Sequence, residues 1–184
     1  SFGPRNHGCT AAETARRAED ALDAVGLPLS LFGARSPTAL SGGERRRAAI
    51  AGVLAIAPEV LVLDEPTAGL DPSNEQLIAD VLTQMSASGC GVVLVSHDLD
   101  RVAELASQVT VMEAGRIRWH GPTRQVLEAA CAEQEGSRAL VEPPAALRLS
   151  LDLRQLGWQV PPMLTQAEAC SFVSSLQLHP PAPG

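Results

Sequence analysis

The chain has 184 residues, of which 14 are basic and 21 acidic, so its net charge is −7. This charge argues against a nucleic-acid-binding protein, which would present a basic face. Apolar residues make up 45% of the sequence, which excludes disorder for the bulk of the chain. The longest charge-free apolar run, Ala48–Ala57, is much shorter than the stretch of about 20 residues that spans a bilayer.

Two residue types restrict the chemistry further. The four cysteines, Cys9, Cys90, Cys131 and Cys170, lie far apart, a spacing that favours reduced thiols over a disulfide framework or a zinc site. All the basic residues apart from histidine are arginine, and the chain contains no lysine. Any functional site that requires a lysine is therefore incomplete within these residues.

The first third of the chain is predicted to contain two helices and then a strand. The first helix spans residues 10–25. The second begins at the capping-box pattern of Ser41 and Glu44 and runs to Ala57, before a proline. The apolar run Val60–Leu63 shows no alternation, which is typical of a strand that is buried on both faces of a parallel sheet.

Helices and strands continue to alternate along the rest of the chain, which indicates an α/β fold with a mostly parallel sheet. Asp71 is predicted to cap the next helix, with proline at its first position. The predicted elements are, in order, a helix over residues 72–88, a strand over 91–95, a helix over 99–106, a hairpin over 109–120, a helix to Ala132, a linker over 133–144, helices over 145–156 and 165–176, and a frayed tail.

The carboxyl ends of the two predicted parallel strands carry polar residues. Sheets of this kind bind ligands at that edge. Asp64 and Glu65 follow the first strand, and Ser96–Asp98 follow the second. The sequence therefore predicts a functional site where these two strands end.

Asp64 and Glu65 are a candidate pair for phosphate chemistry. Neighbouring residues of an extended chain point to opposite sides, so one carboxylate can face a metal ion while the other faces a water. This division suits phosphoryl transfer, in which a metal offsets phosphate charge and a base orients the attacking water. By itself, an acidic pair in this place is more often a helix cap or a turn.

The remaining candidates each have a plain structural interpretation as well. The two glycines of Ser41–Glu44 allow close backbone approach at a helix N-terminus that attracts anions, but the same residues fit an ordinary N-cap. His97 carries a donor that can reach a phosphate oxygen, although a lone histidine is more often structural. Asp71 is most simply a helix cap, and Arg45–Arg47 most simply form a solvated helix face.

Four motifs occur in one order within 59 residues: LSGGE from Leu40, VLVLDEP from Val60, AGLD from Ala68 and VSHD from Val95. In this order they resemble the ATP-binding-cassette (ABC) ATPases, a family of α/β P-loop ATPases. The resemblance implies that LSGGE is the signature motif and that VLVLDEP is the Walker B strand with its catalytic carboxylate. It implies that AGLD is the D-loop and that VSHD contains the switch histidine.

This resemblance also implies ATP and Mg²⁺ as cofactors and a role for each candidate. Asp64 would hold Mg²⁺, Glu65 would polarise the attacking water, and His97 would contact the γ-phosphate. The predicted helix of 16 residues, about 24 Å long, could hold Ser41 well away from these groups, as in a head-to-tail dimer with ATP between the subunits. The implied nucleotide-binding residues are Ser41, Gly42, Gly43, Glu44 and Asp71.

A narrower resemblance is to the ATPase components of energy-coupling factor (ECF) transporters, which import vitamins and transition-metal ions. It is carried by the segments Phe2–Asn6 and Arg47–Pro72 and by stretches between Pro143 and Thr165. It implies a partial ABC ATPase domain over residues 1–132, divided into a helical signature region at 1–57 and a core at 58–132. A linker at 133–144 and a helical C-terminal extension at 145–184 complete the predicted organisation.

The implied partners are a second ABC ATPase subunit, identical or different, and an integral membrane subunit, with no nucleic acid. The expected location is peripheral, on the cytoplasmic face of the cell membrane. Two alternatives stay open. The chain is an ATPase of another ABC importer class, or a non-catalytic module that donates its signature motif in trans to a complete partner.

The Walker A motif, GxxxxGK[ST], is absent, because the chain contains no lysine. The Q-loop of the family is absent as well. We therefore expect the chain to be a C-terminal piece of a longer subunit and to be inactive alone. Without the Walker A strand, one edge of the strand Gly91–Val95 is expected to be exposed, which predicts poor solubility.

Overall fold

The computed structural model describes Pro4 and residues 8–132, 134–135, 138–139 and 141–176. These residues divide into two compact units, Ser1–His97 and Asp98–Gly184. Most of the segment Phe2–Asn6 and the predicted frayed tail lie outside the described residues. The domain boundaries predicted at residues 57/58, 132/133 and 144/145 stay a prediction.

The first unit combines helices with one pair of parallel strands. Its elements are α1 (Ala11–Ala24), α2 (Leu29–Phe32), a 3-10 turn (Pro37–Ala39), α3 (Gly42–Leu54), β1 (Val60–Asp64), α4 (Pro72–Ala87) and β2 (Gly91–Val95). The predicted elements are present, and the α/β fold class is confirmed by the parallel pairing of β1 with β2.

Local capping explains where α1 and α3 begin. The Thr10 side chain accepts from the Glu13 N–H at the start of α1. At the start of α3, Ser41 and Glu44 form the full reciprocal box that the sequence predicts. The predicted end of α3 is wrong, because the helix stops at Leu54 and Ala57 adopts a φ of +53° in the turn that follows.

The strands β1 and β2 pair in register from Val60 opposite Gly91 to Asp64 opposite Val95. One face of the pair joins the core of the first unit, in which Leu61 is 1% exposed. The buried members of that core are Ala21, Val25, Leu27, Ile50, Ala51, Ala55, Leu61, Ile78 and Leu82. Ile78 and Leu82 come from α4, so this helix covers the sheet.

The prediction that the first strand is buried on both faces is wrong for the described residues. Val60 and Val62 are 61% and 64% exposed, and Val93 and Val95 are 49% and 52% exposed. Within the described chain β2 pairs only with β1, so its other edge lacks a strand partner. An apolar run without alternation is therefore accompanied here by cover on one face alone.

The described residues of the second unit form a hairpin, four helices and a second, short strand pair. Its elements are α5 (Leu99–Leu105), β3 (Gln108–Glu113), β4 (Arg116–Pro122), α6 (Thr123–Ala132), β5 (Gln134–Glu135), β6 (Arg138–Ala139), α7 (Ala145–Gln155) and α8 (Gln166–Ser175). The hairpin of β3 and β4 is confirmed, with a register shift between Val111 and Met112. The predicted linker contains the short antiparallel pair of β5 and β6. No helix among the described residues has the length and apolar character of a membrane span.

A buried hydroxyl group links the helix α7 to the segment that precedes α8. Ser150 is fully buried in α7, and its Oγ donates to the Ala146 carbonyl at 2.9 Å and accepts from the Met163 N–H at 3.0 Å. Ala146 and Met163 belong with Val160 to the small core beneath these helices. The hydroxyl thus ties α7 to the segment that leads into α8.

Replacing Ser150 by alanine should destabilise the protein by about 1–3 kcal/mol, because the Met163 N–H would be left buried without an acceptor. The free energy of unfolding, measured by urea denaturation of the natural protein that carries these residues, tests this. The control is Ser174→Ala on the exposed side of α8, expected to change stability by less than about 0.5 kcal/mol. Equal losses in the two variants would contradict the assigned role of the Ser150 hydroxyl.

Candidate functional site

Glu65 lies where β1 ends and the backbone leaves the extended conformation. β1 stops at Asp64, and Glu65 adopts a φ of +48°. The Glu65 N–H donates to the Val95 carbonyl at 2.9 Å, which ties the residue to the end of β2. Because the backbone at Glu65 is not extended, the prediction that the Asp64 and Glu65 side chains point to opposite sides does not apply to Glu65.

The structure brings Glu65 and His97 together, as their positions after paired parallel strands predict. The Glu65 Oε1 atom accepts from the His97 backbone N–H at 2.9 Å and lies 2.6 Å from the ring Nδ1. The hydrogen bond from the His97 side chain is the main reason that the pKa of Glu65 lies below its usual range. Both contacts involve Oε1, and no described residue donates a hydrogen bond to Oε2.

The N-terminus of α3 is capped by Ser41 and Glu44 and leaves open space at Gly42. The Ser41 Oγ accepts from the Glu44 N–H at 3.2 Å, and the Glu44 carboxylate accepts from the Ser41 N–H at 2.7 Å. The backbone bond from Ser41 is the main reason that the pKa of Glu44 is lowered. A Cβ atom added at Gly42 would meet nothing within 4 Å, so packing within the described residues does not require a glycine there.

Asp71 caps α4, as predicted. Its Oδ1 accepts from the Ser73 and Asn74 N–H groups, both at 3.1 Å, and from the Ser73 hydroxyl at 2.6 Å. The Ser73 hydroxyl is the largest of the causes that lower the pKa of Asp71 to about 2. The cap is therefore ionised at neutral pH, and a nucleotide-binding role for Asp71 stays a prediction.

Arg46 is the site residue that sequence reasoning missed. It was interpreted with its neighbours as part of a solvated helix face, which is wrong for Arg46 and Arg47. The Arg46 guanidinium donates to the carbonyl oxygens of Glu65, of Ala68 at 3.2 Å and of Asp64 at 3.4 Å. No local signal distinguishes Arg46 from Arg45, because its acceptors lie 18–22 residues away.

Arg47 is likewise engaged with backbone rather than with solvent. Its Nη1 donates to the Val25 carbonyl at 2.9 Å and to the Gly26 carbonyl at 3.4 Å. It therefore joins α3 to the C-terminal end of α1. Arg45, which is exposed, donates to the Leu40 carbonyl at 2.8 Å.

The expected separation between Ser41 and the carboxylates also needs correction. α3 has 13 residues rather than 16. Arg46, in the second turn of α3, already contacts the Glu65 carbonyl. The segment of Asp64 and Glu65 therefore lies beside the N-terminal half of α3, not beyond its far end.

The site offers carboxylates to Mg²⁺ only in the manner of a nucleotide site. In the described part of the chain, no group of three or more His, Cys, Asp or Glu side chains could hold a metal ion. Mg²⁺ in nucleotide sites keeps several waters and uses one or two carboxylates together with substrate phosphates. The exposed Asp64 carboxylate fits an ion bound in that manner, which depends on a phosphate ligand.

Comparisons with known proteins identify the family that the chain resembles. Residues 4–68 match the family model described as ABC transporter. The energy-coupling factor transporter ATP-binding protein EcfA2 of Symbiobacterium thermophilum is 48% identical, over 94% of this chain and 59% of its own length. The protein of the same name from Mycoplasmopsis synoviae is 40% identical, over 94% of this chain and 54% of its own length.

Solved structures give the same answer for the fold. The cbiO1 protein of Clostridium perfringens, part of the ABC transporter complex cbiONQ, aligns with a TM-score of 0.59 and 37% identity, over 69% of this chain and 50% of that one. A dimeric bacterial ABC transporter cassette aligns with a TM-score of 0.56 and 27% identity, over 63% of this chain and 50% of that one.

The fold is therefore that of part of an ABC ATPase cassette, and the resemblance to this family is confirmed. The two relatives named as ATP-binding proteins of ECF transporters are 48% and 40% identical to the chain. It spans a little over half the length of these curated relatives.

The Asp71 cap gives a pH prediction. Replacing Ser73 by alanine removes the largest cause of the low pKa, so the pKa of Asp71 should rise from about 2 toward 3.8. A lowered carboxyl pKa stabilises the fold above the unfolded value, and this contribution is lost as pH falls through the folded value. In the unmodified protein this contribution to stability is lost between pH 3.8 and about 2. In the variant it should be lost over a narrower pH range.

Titration of the Asp71 carboxyl carbon by NMR measures this shift. Ser86→Ala, at the exposed far end of α4, is the matched control. If Asp71 titrated identically in both variants, the hydroxyl of Ser73 would not be the group that lowers its pKa.

Proposed function

We propose that this chain is part of the ATP-hydrolysing subunit of an ECF-type importer. The observation that carries the proposal is the contact between Glu65 and His97 at the carboxyl ends of two parallel strands that pair in register. The Glu65 Oε1 atom lies 2.6 Å from the His97 Nδ1 atom. A carboxylate beside an imidazole at this edge of an α/β sheet suits the handling of a water and a phosphate. The names of the relatives support the transporter class.

Glu65 acts on the attacking water. Its pKa is held low by the hydrogen bond from His97, so the carboxylate is ionised and accepts hydrogen bonds at neutral pH. Oε1 is engaged by His97, which leaves Oε2 to accept a water proton. The two bonds to Oε1 fix the direction of that oxygen, and such fixed orientation is a main source of rate in phosphoryl transfer.

The same contact determines which ring nitrogen of His97 carries a hydrogen. An ionised carboxylate can only accept hydrogen bonds, so its contact with Nδ1 requires a hydrogen on that nitrogen. His97 then donates to a phosphate oxygen through Nε2 only while that nitrogen is also protonated. An imidazolium in this position would stabilise charge that develops on the transferred phosphoryl group.

Ser41 and the two glycines contact a γ-phosphate from the other side of a head-to-tail dimer. The Ser41 hydroxyl accepts from Glu44, and its own proton has no acceptor among the described residues. The open space at Gly42 lets an anion approach the N–H groups of the first turn of α3. Glu44 strengthens the cap, and Asp71 lies at the edge through which the two sites are coupled.

Asp64 is the residue that would hold Mg²⁺ together with the phosphates of ATP. The ion, when bound, offsets phosphate charge. The remaining phosphate ligands come from a lysine-containing loop that lies outside these 184 residues. This chain alone is then inactive, and its subunit pairs with a second ABC ATPase.

The dimer drives an integral membrane subunit from the cytoplasmic face of the membrane. The imported cargo is a vitamin or a transition-metal ion, the cargo classes of ECF importers. Another ABC importer class is the nearest alternative. Co-purified membrane partners distinguish the two.

A second candidate function rests on the helix N-terminus at Ser41 alone, where a Cβ atom added at Gly42 would meet nothing within 4 Å among the described residues. A chain of this kind can serve as a binding module that donates Ser41 and its glycines to a complete partner. ATP turnover measured with and without such a partner separates this function from an active subunit.

Replacing Glu65 by glutamine in the natural protein should abolish ATP turnover and spare ATP binding, because the amide cannot take a proton from water. Turnover is measured by phosphate release, and binding by titration with labelled ATP. Glu59→Gln is the matched control, since Glu59 is exposed at the amino end of the same strand. It should retain full turnover.

Retained hydrolysis in Glu65→Gln would overturn the assignment of Glu65 to the attacking water. Loss of ATP binding in Glu65→Gln but not in Glu59→Gln would assign Glu65 to binding instead. No hydrolysis in the unmodified protein would favour the binding module.

A further inference from the structure

We infer that Arg46 is a positioning residue, which holds Glu65 in its left-handed backbone conformation and so aims the Glu65 carboxylate. The inference deepens the proposed function, and its catalytic part rests on that function. Its structural part rests on contacts of Arg46 alone.

The contacts of Arg46 converge on one short loop. Its Nη2 donates to the carbonyls of Glu65 and Asp64, and its Nη1 donates to the Ala68 carbonyl at 3.2 Å. The Glu65 carbonyl also accepts from the Ala68 N–H at 3.3 Å. One guanidinium therefore spans the end of β1 and the turn that follows.

The backbone at Glu65 needs such support. At a φ of +48° a residue with a side chain lies in a region that only glycine visits without strain. Such residues persist when their surroundings hold them from several directions. Here the N–H is held by Val95, the side chain by His97, and the carbonyl by Arg46 and Ala68.

Arginine suits this position better than lysine would. Its planar guanidinium presents several N–H donors in a fixed fork, whereas an ammonium group is a compact point charge on a flexible stem. Among the described residues, the side-chain hydrogen bonds of Arg46 all go to backbone carbonyls. A lysine can replace one of these bonds at a time. After the hydrogen bond from His97, the charge of Arg46 also contributes to the lowered pKa of Glu65.

The test compares Arg46→Gln and Arg46→Lys in the natural protein that carries these residues. The control is Arg16→Gln, which removes an exposed arginine and its ion pair with Asp20 on α1. Arg46→Gln should lower kcat for ATP by about 10-fold to 100-fold, because small misplacement of a reacting group has costs of that order. The KM for ATP should stay within about twofold, since phosphate-binding groups are untouched.

Arg46→Lys should recover part of the lost kcat, and Arg16→Gln should leave kcat unchanged. A kcat in Arg46→Gln equal to that of the control would overturn the positioning role. So would a loss that appears only in KM.

Amide hydrogen exchange without nucleotide tests the structural part separately. The N–H groups of Glu65, Ala68 and His97 should exchange faster in Arg46→Gln than in Arg16→Gln, while the core of α4 exchanges equally in both. Unchanged exchange in this loop overturns the inference. If the unmodified protein hydrolyses no ATP, the proposed function fails, and the exchange measurement still decides whether Arg46 holds the loop.

Discussion

The bonding around Glu65 is the constraint on which the rest of the site depends. Its N–H belongs to the end of the β1–β2 pair, and its side chain reaches the first residues beyond β2. The parallel register aligns Asp64 with Val95, so residues that follow the two strands meet at one edge. The proximity of Glu65 and His97, which are 32 residues apart in sequence, is a direct consequence of that register.

Features that depend on neighbours within four residues could be predicted from the sequence. The caps at Thr10, Ser41 and Asp71 each involve a side chain and an N–H two or three positions further on. The location of Glu65 and His97 could be predicted for a related reason, because parallel strands present their carboxyl ends together. At Thr165, which caps α8, the Glu168 N–H donates to the Thr165 hydroxyl, but the Glu168 carboxylate accepts from the Leu164 N–H and pairs with Arg124, so the box is not reciprocal.

Features that depend on distant partners could not be predicted. Three arginines in a row gave no sign that two of them, Arg46 and Arg47, reach carbonyls 18–22 residues away. The left-handed backbone at Glu65 also has no sequence signal, because the residue is not glycine. The predicted burial of β1 on both faces was wrong for a third reason. The apolar pattern indicates that both faces of the strand need to be covered, whereas the four exposed valines show that the described residues cover only one. A patch of this kind is more often an interface than a free surface.

Arg46 connects these local and distant features. Ser41 and Arg46 are on the same two turns of α3, about 7.5 Å apart along its axis, and the reciprocal cap closes the first of those turns. The same two turns therefore present Ser41 at one end and hold the carbonyl of Glu65 through Arg46. If Ser41 binds a phosphate held by another subunit, that contact and the aim of the Glu65 carboxylate become mechanically linked within one unit of the chain. The arginine at position 46 then couples the two halves of a composite site.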